Sequence, residues 1–183
     1  MITRLDPSQY ITTPWRNGGG VTADIAFATD KDGEVWRLGR TPIIQPGPFS
    51  DFRGFDRVQV LVAGSGLVLQ TPDGEIDVRQ PFRPVRFAGE TPIVSRLEAG
   101  PVEVVNLIGN RSKVRIDMKI LDEDRSLRLG PGTQIVYNPL GESVLHIGDS
   151  RHVLAADHGL RLETTEATVL AGRGGCLLVA SIV

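Results

Sequence analysis

Apolar residues recur at every second position over much of this chain. In VTADIAF, Val21, Ala23, Ile25 and Phe27 are expected on one face, and in DRVQVLV so are Val58, Val60 and Val62. VRIDMKI alternates most strictly, with Val114, Ile116, Met118 and Ile120 opposed to Arg115, Asp117 and Lys119. A period of two marks a half-buried strand, because successive side chains of a pleated strand leave opposite faces. Ile76 and Val78 follow the turn signal TPDG, while Val85 with Phe87 and Ile93 with Leu97 predict two further short strands. The last third continues the theme in TQIVY, SVLHI, HVLA, LRLE, TVLA and CLLVASIV. Only LDEDRS, residues 121–126, offers a short helix, and it reads equally as a loop.

Many short strands separated by Gly and Pro turns predict an all-β sandwich or barrel. FDRVQVLVAGSGLVLQTPDG and SVLHIGDSRHVLAADHG share a rhythm of strand, Gly turn, strand, Gly turn. This reads as a loose internal duplication, although any barrel built of hairpins gives a similar rhythm. No low-complexity linker separates the halves, so they are expected to share a core.

Composition narrows the partners. The chain has 183 residues, enough to bury a sizeable core without disulfides or a structural metal. With 20 basic and 22 acidic residues the net charge is -2, which argues against nucleic acid as a partner. No basic run or basic amphipathic stretch points to a membrane surface. The only cysteine is Cys176, and MITRLDPSQY has no apolar signal core. A cytoplasmic location is therefore expected.

Four stretches could carry chemistry. The first is PWRNGGG, Pro14 to Gly20. Its glycines could expose backbone N–H groups as an anion nest beside Arg16 and Asn17, or simply form a tight turn with Trp15 as a core plug. The second is VWRLGRT, where Arg37 shares a strand face with Gly39 and Thr41, and Trp36 with Leu38 takes the other. Small neighbours leave room before the guanidinium for a bidentate carboxylate, although a solvated surface arginine is the commoner case. The third is GPFSDFRGFDR, Gly47 to Arg57, whose three phenylalanines require a packing partner. It could be a pocket lip with Ser50 as a donor, a dimer contact, or a flap over the core. The fourth is PVEVVNLIGNR, where Asn106 lies in an apolar row with Val102, Val104 and Ile108. An inward asparagine needs a hydrogen-bond partner, from the backbone or from a ligand. His146, His152 and His158 form no ligand-spaced pair, so no metal site is expected. Cys176 opens an apolar run and reads as an inert thiol.

In order and spacing these blocks resemble the HutD/Ves family. The matching residues are Pro14 to Gly20 with Thr22, Trp36-Arg37, Gly47 to Ser50 with Phe52, Gly54, Asp56 and Arg57, Phe87 and Gly89, and Gly100 to Val102 with Asn106 and Arg111. The resemblance is specific over about the first 110 residues; beyond them only the strand rhythm matches. It implies two cupin-like double-stranded β-helix barrels in one chain, a bicupin of RmlC-like jelly-roll type. The barrels are expected over residues 1–112 and 113–183, sharing strands and core. It further implies a homodimer and an accessory role in bacterial histidine utilisation, without metal or cofactor. The expected ligand is a small carboxylate of the urocanate, formiminoglutamate or N-formylglutamate class.

The site expected on this basis comprises Arg16, Asn17, Gly18 and Gly19 at the mouth, Trp36 and Arg37, Phe49, Ser50, Phe52, Asp56 and Arg57, and Asn106. Two departures alter the pocket wall. The family usually carries Ser and Ala where this chain has Gly39 and Thr41, and Asp where it has Val104. Three functions stay open: a metal-free binding protein, a metal-independent cupin isomerase or hydrolase, and an interaction protein using the aromatic loop. Asp56 is the only general base in the expected set, and its neighbour Arg57 is expected to hold it ionised. The second barrel, mostly apolar inside, is expected to be packed shut.

Overall fold

The structure, a computed structural model, describes residues 1–164 and 166–183, with Thr164 described by its backbone alone. It is all-β. The strands are β1 (Ile2–Leu5), β2 (Ile11–Pro14), β3 (Val21–Asp30), β4 (Gly33–Ile43), β5 (Gly47–Pro48), β6 (Phe55–Ala63), β7 (Leu67–Thr71), β8 (Gly74–Asp77), β9 (Val85–Ala88) and β10 (Val94–Leu97). They continue as β11 (Val102–Asn110), β12 (Ile116–Leu121), β13 (Ser126–Leu129), β14 (Gly132–Tyr137), β15 (Ser143–Ile147), β16 (Ser150–Leu154), β17 (Gly159–Thr164), β18 (Ala167–Ala171) and β19 (Leu177–Ile182). One 3-10 turn, Pro7–Gln9, is the only helical element among the described residues. LDEDRS is a turn: Arg125 N–H donates to Asp122 O, and Asp124 takes a φ of +58°.

The chain divides into two compact units, Tyr10–Ile116 and Met1–Gln9 with Asp117–Val183. The division differs from the expected boundary at 112/113 mainly at the N-terminus. There β1 adds to the edge of the C-terminal unit, with Ile2 opposite Leu162. The ladder bonds to β17 outweigh sequence proximity.

The Tyr10–Ile116 unit pairs a six-stranded sheet, β2-β3-β4-β11-β6-β9, with a four-stranded sheet, β5-β10-β7-β8. Their facing side chains form an apolar core that includes Ile43, Leu61, Val102 and Val104 from the larger sheet and Leu67 and Leu69 from the smaller. The other unit pairs a five-stranded sheet, β1-β17-β14-β19-β12, with β13-β18-β15-β16. Its core cluster is apolar, with Val136, Leu145, Leu160 and Val169 all fully buried, and Gln134, Asn138 and Ser143 are buried polar residues of the same unit. Among the described residues, none of the four strand orders closes on itself.

The central β11–β6 pair has a single bulge, between Glu103 and Val104, beyond the rows that face the site, whereas β3 is interrupted twice. A bulge between Asp24 and Ala26 and a second between Ala28 and Thr29 shift its phase. An inserted residue turns the following side chains to the other face. Phe27, expected inside with Ile25, is therefore 42% exposed; Val21, at the start of the strand before either bulge, is 44% exposed, and Asp24 is buried.

Candidate functional site

Three central strands of the larger sheet set out the site in rows. In the β4–β11–β6 register, Thr41, Val104 and Leu61 form one row, Gly39, Asn106 and Gln59 the next, and Arg37, Ile108 and Arg57 the third. The inward face thus changes from apolar to polar along the sheet. The four-stranded sheet packs on the apolar end. Over the polar end lies a cavity of about 250 Å³, lined on one side by the loop that carries Phe49, Ser50 and Phe52.

Arg57 is the most buried of the cavity's arginines, at 7% exposure. Its guanidinium carbon stands 5.1, 5.3 and 5.0 Å from the ring centres of Phe49, Phe52 and Phe87. Its Nε has no hydrogen-bond partner, and among the described residues no carboxylate pairs with it. Burial first, and then the nearby Arg37 charge, pull its pKa down to about 9. It stays cationic at neutral pH, a buried charge compensated only by ring faces.

Arg37 differs. Its Nη1 lies 3.7 Å from Asp24 Oδ1 and its Nε 3.4 Å from Glu34 Oε2. Asp24 Oδ2 accepts from the Thr13 hydroxyl at 2.6 Å, and Thr22 bonds Thr41 at 2.8 Å while accepting Trp15 Nε1–H at 3.1 Å. Gly39 makes this arrangement fit: a Cβ there would stand 2.4 Å from the Thr22 methyl and 3.3 Å from Asp24 Oδ1. The Thr22 and Asp24 side chains occupy the space a side chain at 39 would take.

Phe52, 6% exposed, is ringed by cations. The guanidinium carbons of Arg16, Arg57 and Arg37 lie 4.3, 5.3 and 5.6 Å from its centre. The loop is fixed by backbone bonds: Phe49 N–H to Ile93 O, Phe52 N–H to Gly89 O, and Gly89 N–H to Phe55 O.

Of the expected site residues, Arg16, Arg37, Phe49, Ser50, Phe52, Arg57 and Asn106 line this cavity. Asn17, Gly18, Gly19, Trp36 and Asp56 do not. PWRNGGG is a turn rather than an anion nest. Gly18 N–H donates to Trp15 O, and Gly19 N–H to Asn17 Oδ1. Gly20 lies under the indole, where a Cβ would come within 2.9 Å of Trp15. Asn17 Nδ2 donates to Pro48 O at 2.7 Å and ties the turn to the aromatic loop. Trp36 faces away from Arg37 and is 3% exposed in the core. Asp56 points outward, where Arg111 Nε donates to it at 2.9 Å. Its ionic partner is Arg111 rather than the adjacent Arg57, because neighbours on a strand face opposite sides.

Sequence reading passed over Gln59, Asp24 and Glu34. Gln59 is fully buried with both amide atoms unpartnered. Its signal was available, since it stands two residues after Arg57 and is the one polar residue in the run 58–63. Asp24 became visible only with the β3 bulge. The described residues hold no cluster of three or more His, Cys, Asp or Glu placed to bind a metal ion, and all three histidines lie in the other unit.

The HutD family model matches residues 7–179. An uncharacterised 21.2 kDa protein of the hutC 3′ region in Pseudomonas putida is 29% identical over 135 residues, covering 73% of this chain and 71% of the relative. The structure of HutD from Pseudomonas fluorescens SBW25, obtained in a formate condition, aligns at a TM-score of 0.83 and 25% identity over all of both chains. A conserved protein of unknown function from Pseudomonas aeruginosa PAO1 aligns at 0.87 and 22% identity, over 100% of this chain and 98% of that one. Beyond these, the all-β arrangement has cupin-like structural neighbours. With a family match spanning nearly its whole length, the chain belongs to the HutD family.

Proposed function

We propose that this protein binds a small organic acid in the cavity of the Tyr10–Ile116 unit, without metal or cofactor, and that Arg57 holds the carboxylate. One observation carries this reading: a guanidinium buried to 7% exposure faces aromatic rings with no carboxylate partner, beside the unpartnered amide of Gln59 and Oδ1 of Asn106. An unpaired buried charge costs stability, and a ligand carboxylate offsets that cost. The pairing of a large and a four-stranded sheet in each unit, together with the cupin-like neighbours, supports two cupin-like barrels in one chain. The family, and the hutC neighbourhood of the P. putida relative, support a role beside histidine degradation, modulating that pathway. Urocanate, formiminoglutamate and N-formylglutamate are the acids to test. In calorimetric titrations at neutral pH one of them binds saturably to the wild type and not to Arg57→Ala. Equal binding by the variant, or no binding of any acid, overturns the reading.

A second reading is metal-independent acid–base catalysis on the same acid. It is favoured by Glu34, a cavity-lining carboxylate whose Oε1 has no hydrogen-bond partner. Following the bound acid by proton NMR separates the two: unchanged spectra over hours leave binding, and a new product signal lost in Glu34→Gln establishes turnover.

A further inference from the structure

Phe52 reaches the cavity from a four-residue turn. Phe55 N–H donates to Phe52 O at 3.0 Å, and Gly54 takes a φ of +84°, the left-handed value this kind of turn needs at its third residue. The backbone groups of such a turn must find partners outside the strand ladders. Two side chains that do not line the cavity, Arg111 and Glu90, supply them from its outer side. Arg111 N–H donates to Gly54 O at 3.0 Å, and Arg111 Nη2 to Phe55 O at 2.8 Å. The same guanidinium donates to both oxygens of Glu90, at 2.7 and 2.9 Å, and Gly54 N–H is a further donor to that carboxylate. Glu90 follows Gly89, whose O accepts from Phe52 N–H and whose N–H donates to Phe55 O. A Cβ at Gly89 would collide with Phe52 O, so the two segments meet backbone to backbone.

This clasp grips one end of the turn, and the other end carries the ring beside Arg16, Arg37 and Arg57. Cation–ring attraction is confined to about 6 Å, and a binding constellation tolerates shifts of only about 0.5 Å. We infer that Arg111 and Glu90 are positioning residues: from the outer surface they set where the Phe52 ring lies, and through it the geometry of the buried Arg57 guanidinium. The consequence for affinity rests on Arg57 as the carboxylate site. Asp56 differs from Glu90. It also accepts from Arg111, through Nε at 2.9 Å, but its carboxylate meets the arginine rather than the turn.

Nuclear magnetic resonance of the unliganded protein reads the ring directly, because its ring current displaces the Nε–Hε signals of Arg16 and Arg57. Phe52→Leu gives their positions without the ring. In Glu90→Gln and in Arg111→Lys both signals are expected to move toward those positions, and in Asp56→Asn to stay at wild-type values. Calorimetric titration with urocanate, formiminoglutamate and N-formylglutamate is expected to show about three- to tenfold weaker binding in the two clasp variants. In a Phe52→Leu background the same substitutions change affinity no further. Unmoved Nε–Hε signals overturn the inference, since a clasp that only stabilises the fold lowers the melting temperature and leaves them in place. Equal movement in Asp56→Asn, or undiminished affinity in the clasp variants, overturns it too. If the signals move as expected and no acid binds the wild type, the carboxylate reading falls and the placement of Phe52 stands.

Discussion

Arg37 and Arg57 flank Ile108 in one row of the sheet, and only Arg37 has carboxylates beside it. The unmatched member is the more deeply buried. Replacing Arg57 with Met removes an unpaired buried cation and keeps most of the side-chain volume. The unliganded protein is expected to gain about 1–3 kcal/mol in stability, read from denaturant midpoints, while carboxylate binding loses about 2–5 kcal/mol. A variant less stable than the wild type would place Arg57 among the structural residues instead.

Gln59→Met follows the same logic one row along. Both amide atoms of Gln59 are buried without partners, so an apolar side chain of similar size should raise stability by about 1–3 kcal/mol. Ligand affinity should fall. Thermal melts with and without ligand separate the two effects.

Asn17→Ala tests whether PWRNGGG positions the site or binds in it. Asn17 contributes bonds to Pro48 O and Gly19 N–H and does not line the cavity. The expected loss is about 1 kcal/mol of stability, with affinity changed less than about threefold. A larger loss of affinity at unchanged stability would return the asparagine to the ligand.

Glu90 gives a pH signature. Two bonds from Arg111 hold its carboxyl well below the usual range, down to about 2. A depressed carboxyl pKa stabilises the fold above the unfolded value, near 4.5, and that stability fades as the pH falls toward 2. Melting temperature should therefore drop more steeply over this window in the wild type than in Glu90→Gln. Because the pair is exposed, added salt should shrink the difference.

The strand content and the Arg37–Gly39–Thr41 row were legible because β4 and β11 alternate without interruption at those positions. The β3 bulges were not, since an extra residue in a ladder leaves no mark in hydropathy, and they carried Asp24 out of sight. The glycine run misled for a related reason. The N–H groups of Gly18 and Gly19 are met by Trp15 O and by the side chain of Asn17, which is itself anchored to Pro48, 31 residues away. Such long-range partners also explain β1, whose ladder partner lies about 160 residues further along the chain. Asp56 and Arg57 show the converse: adjacency in sequence puts strand residues on opposite faces.

The three guanidiniums around Phe52 are graded in depth. Arg16 is exposed, Arg37 is 15% exposed as a side chain, and Arg57 is 7% exposed. For a small anion this is a staircase, with a cation at each step and one phenyl ring as its newel. Arrival and departure then answer to different forces. For the acid proposed to bind here, capture would draw on the outer charge, whose field reaches about 8–10 Å in physiological salt. Escape would be set by the contact with Arg57, the most deeply buried of the three.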